Sequence, residues 1–143
     1  APYTGGGYMH ATDDRTPVTF ITRYYLDKIK RLCDAHGTKL LFVTAPSPVN
    51  HTMQRHNEVQ ALADALAVPY LDLNLNTEEL GIDWNLDTLD GGDHLNYTGC
   101  QKATAYLQRY MQTHYTLPDR RDDVRYEAWN KQAAEFEKLL PQP

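Results

Sequence analysis

Two short segments that read as buried strands, each directly preceded by an amphipathic helix, constrain the fold of this chain more than any other feature. The first, residues 39–45 (KLLFVTA), is apolar and partly β-branched, as expected of a strand covered on both faces of a parallel sheet. The second is residues 68–73 (VPYLDL). Helices that alternate with such strands predict right-handed crossovers and an α/β fold, with helices on both faces of the sheet.

Helix signals surround the two strands. The first helix is predicted to begin with Thr16 as its N-cap and Pro17 in its first position, and to end at Gly37. Further helices are predicted over residues 53–67 and 124–140. The side chains predicted to face inward include Val18, Ile21, Tyr25, Ile29 and Leu32 on the first helix and Trp129, Ala133, Phe136 and Leu140 on the last.

The pattern divides the chain into three parts. Residues 1–15 are predicted to form a loop, residues 16–118 an α/β domain, and residues 119–143 a charged hinge followed by an amphipathic helix. A sheet normally has about five strands, so two predicted strands indicate a sheet that is incomplete in this chain. The remaining strands are expected from upstream sequence, from a partner chain or from the N-terminal loop.

Composition and charge argue against several classes of function. The net charge of −5 and the scattered basic residues disfavour nucleic acid as the main ligand, because phosphate binding needs a basic face. The longest apolar runs are far shorter than a bilayer requires, so no membrane span is expected. The first residues are neither basic nor apolar, so no signal peptide is visible there.

No metal or cofactor is predicted. The sequence has no CxxC pair and no zinc-ligand spacing. His51 and His56 flank the start of the second helix, and with His94 they raise the question of a metal; packed or solvated histidines are the favoured interpretation. Cys33 and Cys100 fall on apolar stripes of predicted helices, which favours two buried free thiols and leaves a disulfide open.

The chemistry of the chain is expected at the carboxyl ends of the strands, where open parallel sheets bind ligands. The loop that carries His94 is expected to reach these strand ends. The histidine lies between a Gly-Gly pair and a third helix that begins near Asn96. Asp93 is adjacent to it, and Asp90 lies four residues earlier. A histidine with a carboxylate that can fix its tautomer is the base half of a hydrolytic triad. The alternative is that Asp93 and His94 merely line a loop.

The stretch DWNLDTLDGGDHLNYTG, and to a smaller extent LLFVTAPSPVN and PYLDLN, carries a family resemblance. Over residues 16–117 the chain resembles a bacterial branch of the SGNH/GDSL hydrolase superfamily. The Asp-His-Leu-Asn-x-x-Gly stretch that enters the third helix resembles the last conserved block of the superfamily. In that block an aspartate and a histidine, usually three residues apart, complete a triad with a serine from the exit loop of the first strand.

The resemblance implies a fold, a location and an activity. The fold would be a three-layer α/β/α, flavodoxin-like parallel sheet, and the location extracytoplasmic. The activity would be that of a serine esterase or O-acyltransferase acting on acyl esters, with polysaccharide esters as one substrate class. The branch is similar to the D-alanine transfer protein of teichoic-acid assembly and to alginate O-acetyltransferase-like proteins.

Carried over by position, His94 would be the general base. Gly91 stands three residues before it, so either Asp90 or Asp93 would orient the ring, and Asp90 is favoured because the Gly-Gly pair could bulge. Ser47 is the only serine and lies between two prolines, where the family places a substrate or oxyanion contact. A rigid turn is the favoured interpretation of Ser47, so the nucleophile is expected from an upstream segment or a partner chain.

Two further side chains are predicted to contact substrate. Asn50 could donate its amide to an oxyanion or cap the helix that follows, and both alternatives stay open. Trp84 borders the expected cleft and could stack on a sugar ring, although such aromatic residues are more often part of a core or rim.

Two other functions remain open beside the hydrolase. The chain could be a non-catalytic SGNH-like domain that binds glycans or proteins. It could also belong to an oligomer in which two chains complete one sheet, because exposed strand edges favour such pairing.

Overall fold

The computed structural model describes residues 1–140 of the chain. Within those residues it is an α/β structure with five α-helices and a two-stranded parallel sheet, so the predicted α/β character is confirmed. The elements in chain order are α1 (Phe20–Ala35), β1 (Phe42–Thr44), α2 (Met53–Leu66), β2 (Tyr70–Asp72), α3 (Thr77–Leu80), α4 (Tyr97–His114) and α5 (Glu127–Leu139), with 3-10 turns at Leu73–Asn76 and Val124–Tyr126.

The chain forms two compact units. The first comprises Ala1–Leu107 and contains both strands, and the second begins at Gln108 and contains α5. The division falls within α4, whereas composition predicts a division after residue 118. The domain limits drawn from the sequence pattern stay a prediction.

The register of the sheet brings the ends of both strands to one edge. Phe42 pairs with Tyr70, and Thr44, the last residue of β1, pairs with Asp72, the last residue of β2. The hydroxyl groups of Thr44 and Tyr70 lie 2.9 Å apart and link the two strands through their side chains. The loops that leave β1 and β2 therefore start side by side, as expected for a parallel pair.

Both strands are shorter than the predicted segments 39–45 and 68–73, because prolines flank them. Pro46 follows β1 closely and Pro69 directly precedes β2, and neither has an amide hydrogen to donate to the ladder. Pro69 contributes only its carbonyl oxygen, which accepts the amide hydrogen of Phe42 at 2.9 Å. The sheet is thereby limited to three residues per strand.

The first helix begins later than predicted. Its N-cap is Thr19, whose hydroxyl accepts the amide hydrogen of Thr22 at 3.1 Å, so the expected cap at Thr16 is wrong. The segment before the helix lies against α2 instead: Thr16 donates its amide hydrogen to the carbonyl of Gln54 at 3.1 Å. Residues held extended by such contacts cannot join the helical ladder.

The end of α1 agrees with the prediction. Gly37 follows the helix in the left-handed region, with φ of 63°. Its amide hydrogen and that of Thr38 return to the carbonyls of Asp34 and Cys33, at 3.1 and 2.8 Å. This is the Schellman pattern, in which glycine avoids the steric penalty of a positive φ.

The apolar core lies where α2 packs against β2 and the turn that follows it. Its buried hydrophobic residues are Leu62, Ala63, Val68, Leu71, Leu73, Leu80 and Ala103. These residues come from α2, α3, α4, β2 and the segments on either side of β2, so the core connects the end of β2 to the helix that follows His94.

Two helices expose the faces that were predicted to be buried. On α1, Ile21 and Leu32 are 66% and 62% exposed, and on α5 Trp129 is 72% exposed. Apart from Val18 and Leu140, which are half-buried, the side chains predicted to face inward on these helices are exposed, so the prediction is wrong for them. Two short strands offer too little surface to cover these helices as well as α2. Cys100 is likewise exposed, and it and Cys33 are free thiols rather than two buried ones.

The start of α4 depends on close backbone contacts. The side-chain oxygen of Asn96 accepts the amide hydrogen of Gly99 at 3.1 Å, which is an N-cap interaction. A Cβ atom on Gly99 would lie 2.4 Å from the carbonyl oxygen of Asp87 and 3.1 Å from Cβ of Leu95. The glycine of the His-Leu-Asn-x-x-Gly stretch therefore allows the helix to meet the loop before it.

Gly99→Ala is expected to destabilise the chain, although alanine favours helix formation by about 1 kcal/mol over glycine. The backbone oxygen of Asp87 cannot yield as a flexible side chain would, so overpacking should cost about 1–3 kcal/mol. Urea denaturation followed by circular dichroism measures the change. Thr104→Ala, at an exposed position of the same helix, should change stability by less than about 0.5 kcal/mol. An unchanged or raised stability of Gly99→Ala would contradict the close contact.

Candidate functional site

The loop that carries His94 is closed by its own hydrogen bonds. An antiparallel bridge joins Thr88 to Leu95, and the amide hydrogen of Leu89 bonds to the carbonyl of His94 at 2.9 Å. Between these ends the backbone turns through Gly91 and Gly92, whose φ values are 75° and 100°. Two consecutive residues in this region are favourable only for glycine, so the Gly-Gly pair permits the turn.

Asp90 is the carboxylate that meets the His94 ring. One of its oxygens accepts a hydrogen bond from Nδ1 of His94 at 2.7 Å, and the other accepts the backbone amide hydrogen of the same residue at 2.7 Å. This double contact fixes the direction of the ring and keeps the proton on Nδ1, which leaves Nε2 as the basic nitrogen. The His94 side chain is 67% exposed, so this nitrogen is accessible.

Asp93 has a different role. Its nearest carboxylate oxygen lies 3.7 Å from Nδ1 of His94, beyond hydrogen-bond distance. The other oxygen accepts a hydrogen bond from the side-chain amide of Asn50. Asp93 therefore links the His94 loop to the loop after β1 and contributes to His94 mainly through its charge.

The two acids change the proton affinity of the base. The hydrogen bond that His94 donates to Asp90, followed by the charge of Asp93, raises the pKa of His94 above the ordinary imidazole value. The same hydrogen bond lowers the pKa of Asp90 below its ordinary value. The ring therefore holds its second proton to a higher pH than a free imidazole does.

Ser47 joins the two loops instead of facing the base. Its hydroxyl donates to the carbonyl oxygen of Asp93 at 2.8 Å, with a longer contact of 3.3 Å to the carbonyl of Gly92. Its amide hydrogen bonds to the side-chain oxygen of Asn74 at 2.8 Å. Among the described residues, the Ser47 hydroxyl makes no hydrogen bond to the His94 ring, and its place suits the rigid turn favoured by the sequence.

Asn50 does not cap the helix that follows it. The N-cap of α2 is Thr52, whose hydroxyl accepts the amide hydrogen of Arg55, so the capping alternative is wrong. The amide hydrogen of Asn50 bonds to the Ser47 hydroxyl at 3.2 Å, and its side-chain amide is engaged by Asp93. Donation to an oxyanion stays a prediction.

A second, buried group was not expected from the sequence. Nε2 of His51 and Nδ1 of His56 lie 2.8 and 2.7 Å from the same oxygen of Asp72, Oδ2. The other carboxylate oxygen accepts the backbone and side-chain amide hydrogens of Asn74, at 2.9 and 2.7 Å. The signal lay in the topology: Asp72 ends β2, and the parallel register brings it beside the loop after β1 that carries His51.

The carboxyl group of Asp72 is held in its charged form. Burial by itself would raise the pKa of Asp72, but hydrogen bonds from His51 and Asn74 outweigh that effect and keep the pKa well below its ordinary value. The side chain of Asp72 is 1% exposed. A buried charge of this kind is tolerated because its hydrogen-bonding positions are filled.

Trp84 forms an aromatic group with the N-terminal segment. Its ring lies 6.0 Å from the rings of both Tyr3 and Tyr8, in edge-to-face contact. These three residues, with Asn74 and Thr77, line an open pocket of about 550 Å³. The Tyr8 hydroxyl donates to Asn74 at 3.0 Å, and burial, then the charge of Asp72, raises the pKa of the Tyr8 phenol well above its ordinary value.

Asp87 is a further buried acid that sequence reasoning missed. Its carboxylate accepts hydrogen bonds from the Thr98 hydroxyl at 2.9 Å and from the amide of Asp83 at 2.7 Å, and it pairs with Lys102. Burial would raise the pKa of Asp87, but these contacts, led by Lys102, lower it. The acid therefore anchors the first turns of α4 to the loop before His94.

Two groups in the described part of the chain could hold a metal ion. They are His51 with His56 and Asp72, and Asp90 with Asp93 and His94. The first is buried or half-buried and the second is largely exposed. In the first group, the carboxylate comes from Asp72 at the end of β2, which is distant in the sequence from the two histidines.

Comparisons of this chain with protein-family models, with curated proteins and with solved structures found no match. Within residues 1–140, none of the helices combines the length and the hydropathy that a bilayer crossing needs.

Asp90→Asn is expected to lower the pKa of His94 towards the ordinary imidazole value, because it removes the charge and weakens the hydrogen bond that favour the protonated ring. Asp93→Asn should lower it less, since Asp93 acts only through its charge. A pH titration of the His94 ring signals by NMR measures both changes. A larger decrease in Asp93→Asn than in Asp90→Asn would contradict the assignment of Asp90 as the partner.

Proposed function

We propose that this chain supplies the base and its acid to a serine esterase or O-acyltransferase of the SGNH type, with a nucleophile that lies outside the residues described here. The observation that carries the proposal is the Asp90–His94 pair, in which the carboxylate bonds to Nδ1 while Nε2 stays accessible. Hydrolytic triads use a histidine oriented in this way by an acid.

The position of the pair in the fold supports the proposal. The hydroxyl of Ser47, in the loop that leaves β1, donates a hydrogen bond to the carbonyl of Asp93, which directly precedes His94. The backbone amide of Ser47 donates to the side-chain oxygen of Asn74, just after β2. The base is therefore connected to the carboxyl edge of the parallel strands, where α/β folds place ligands. A flavodoxin-like, three-layer sheet of which β1 and β2 are part would be consistent with this arrangement.

The proposed reaction has two steps. Nε2 of His94 takes the proton of the serine hydroxyl as its oxygen attacks the acyl carbonyl, and the proton then passes to the departing alkoxide, which leaves as an alcohol. In the second step His94 takes a proton from water or from an acceptor hydroxyl, whose oxygen attacks the acyl-enzyme ester. The proton then passes from His94 to the departing serine oxygen, which restores the serine hydroxyl and the neutral base. Asp90 stabilises the imidazolium that forms in both steps.

The nucleophile is proposed to come from an upstream segment or a partner chain. Ser47, the only serine of the sequence, has its hydroxyl engaged by the carbonyls of Gly92 and Asp93. The amide of Asn50 lies in the same loop and is the proposed oxyanion donor, once it is released from Asp93. An extracytoplasmic location and acyl esters of polysaccharides as substrates belong to this proposal through the family resemblance alone.

An ester-hydrolysis assay tests the proposal. It uses the natural protein, including any further segments or partner chains that accompany this one. His94→Ala should reduce kcat/KM for p-nitrophenyl acetate by about 10⁴-fold or more, and Asp90→Asn by about 10²–10⁴-fold. Asp93→Asn, which lacks the contact to Nδ1, should reduce it by less than about 10-fold. Because Asp90 raises the pKa of His94, the acidic limb of the pH–rate profile should move to lower pH in Asp90→Asn.

Two outcomes would contradict this assignment. Activity that survives His94→Ala would remove the base from the mechanism. Hydrolysis by residues 1–143 alone, lost in Ser47→Ala, would show that the nucleophile lies within this chain and that Ser47 is not merely a turn residue.

A second candidate function is a non-catalytic domain that binds glycans. The observation that favours it is the open pocket beside Trp84, Tyr3 and Tyr8, because aromatic rings with nearby hydroxyl and amide groups suit a sugar ring. In this function the Asp90–His94 pair would be a structural element of its loop.

Calorimetry with soluble acylated oligosaccharides distinguishes the two functions. The binding domain would be favoured if the wild type binds the oligosaccharide without hydrolysing it and the affinity falls at least about 10-fold in Trp84→Ala, because a large aromatic contact is lost. Trp129→Ala is the matched control, since this exposed tryptophan lies in the other compact unit and should leave binding unchanged. Heat of binding that is equal in wild type and Trp84→Ala would rule out the pocket as the glycan site.

A further inference from the structure

We propose that His51, His56 and Asp72 bind a divalent transition-metal ion, with Zn²⁺ as the favoured ion. The three side chains come from the loop after β1, the first turn of α2 and the end of β2, and each offers one ligand atom. All three ligand atoms lie within 4.8 Å of one another. This group is separate from the Asp90–His94 pair, so the proposal does not depend on the proposed enzymatic function.

The arrangement of donors brings two ring nitrogens and one carboxylate oxygen close enough together for a single cation. Both imidazoles direct a ring nitrogen at the same oxygen of Asp72, at 2.8 and 2.7 Å. When each neutral imidazole carries its proton on the ring nitrogen that faces away from Asp72, two nitrogen lone pairs and one carboxylate oxygen converge on the same region. Metal ligation requires neutral, deprotonated donor nitrogens of this kind.

The surroundings hold the carboxylate in place. Asn74 donates two hydrogen bonds to the other oxygen of Asp72, so the carboxylate is oriented towards the histidines. The ring of Tyr70 stacks on His56, with 5.5 Å between their centroids, and restricts the second imidazole. Partners of this type orient metal ligands and raise the affinity for the ion.

The chemistry of the donors selects the kind of metal. Two imidazole nitrogens and one carboxylate oxygen suit Zn²⁺ and similar first-row ions, whereas Mg²⁺ and Ca²⁺ prefer oxygen ligands alone. Side-chain exposures of 7% for His51 and 1% for Asp72 limit competition from water. Three protein ligands leave at least one coordination position for a small molecule such as water.

The present distances are those of hydrogen bonds, and ion binding requires a small expansion. Zinc bonds of about 2.0–2.2 Å at tetrahedral angles place neighbouring ligand atoms roughly 3.4 Å apart. Each imidazole must therefore withdraw from Asp72 by roughly 0.6 Å. His51 lies in a loop ahead of α2, and His56 lies in the first turn of that helix, so rotation of their side chains can supply this movement.

Metal titration of the full chain, stripped of metal by a chelator, tests the proposal. One equivalent of Co²⁺ should bind and give the visible absorption of a tetrahedral site, and one equivalent of Zn²⁺ should displace it. His51→Asn and His56→Asn should each weaken binding by more than about 100-fold, because loss of a ligand should exceed the roughly 10–100-fold effect of losing a supporting residue. His94→Asn with Asp90→Asn is the matched control and should bind the ion as the wild type does.

NMR spectra of the wild type provide a second test that does not require the variants to fold. Addition of Zn²⁺ should shift the ring signals of His51 and His56 and leave those of His94 unchanged. Absence of metal binding by the stripped chain would overturn the proposal, as would shifts confined to His94. Retained affinity in folded His51→Asn and His56→Asn variants would also overturn it.

Discussion

The side chain of Asn74 holds together the edge of the sheet on which the site is built. Its amide group donates to the carbonyl of Ala45, at the end of the first strand, and to the carboxylate of Asp72, at the end of the second. Its oxygen accepts hydrogen bonds from Ser47 and from Tyr8. Strands of three residues contribute few ladder bonds of their own, so this one buried amide, satisfied at both ends, fixes where the two exit loops begin.

Hydrogen bonds connect this edge of the sheet to the loop that carries His94. Ser47 bonds to Asn74 on one side and to the carbonyl of Asp93 on the other, and His94 follows directly. The second group, around Asp72, shares the same amide. Two polar clusters with different burial are therefore connected through a single side chain, which explains how a small core can position both.

The sequence predicted those features that local chemistry decides. Helix α2, the Gly37 terminus and the α/β alternation follow from periodicity and capping, and the structure confirms them. The start of α1 was wrong because contacts of residues 16–18 with α2, which no local pattern reveals, override the Thr-Pro signal. The exposed stripe of α1 has a similar cause, since burial depends on partners rather than on periodicity. The grouping of Asp72 with His51 and His56 was missed, because the parallel register brings together residues that are far apart in the sequence.

Asp90 and His94 lie four residues apart in one loop, so their contact does not require two separate elements of the fold to be aligned. In many α/β enzymes the members of a catalytic group come from separate elements, so their alignment depends on the whole domain. Here the carboxylate of Asp90 and the imidazole of His94 lie on one loop that the Thr88–Leu95 bridge closes, so their alignment depends on local contacts. In the proposed mechanism, the tautomer of the ring would therefore be set by its own loop before a serine hydroxyl approaches.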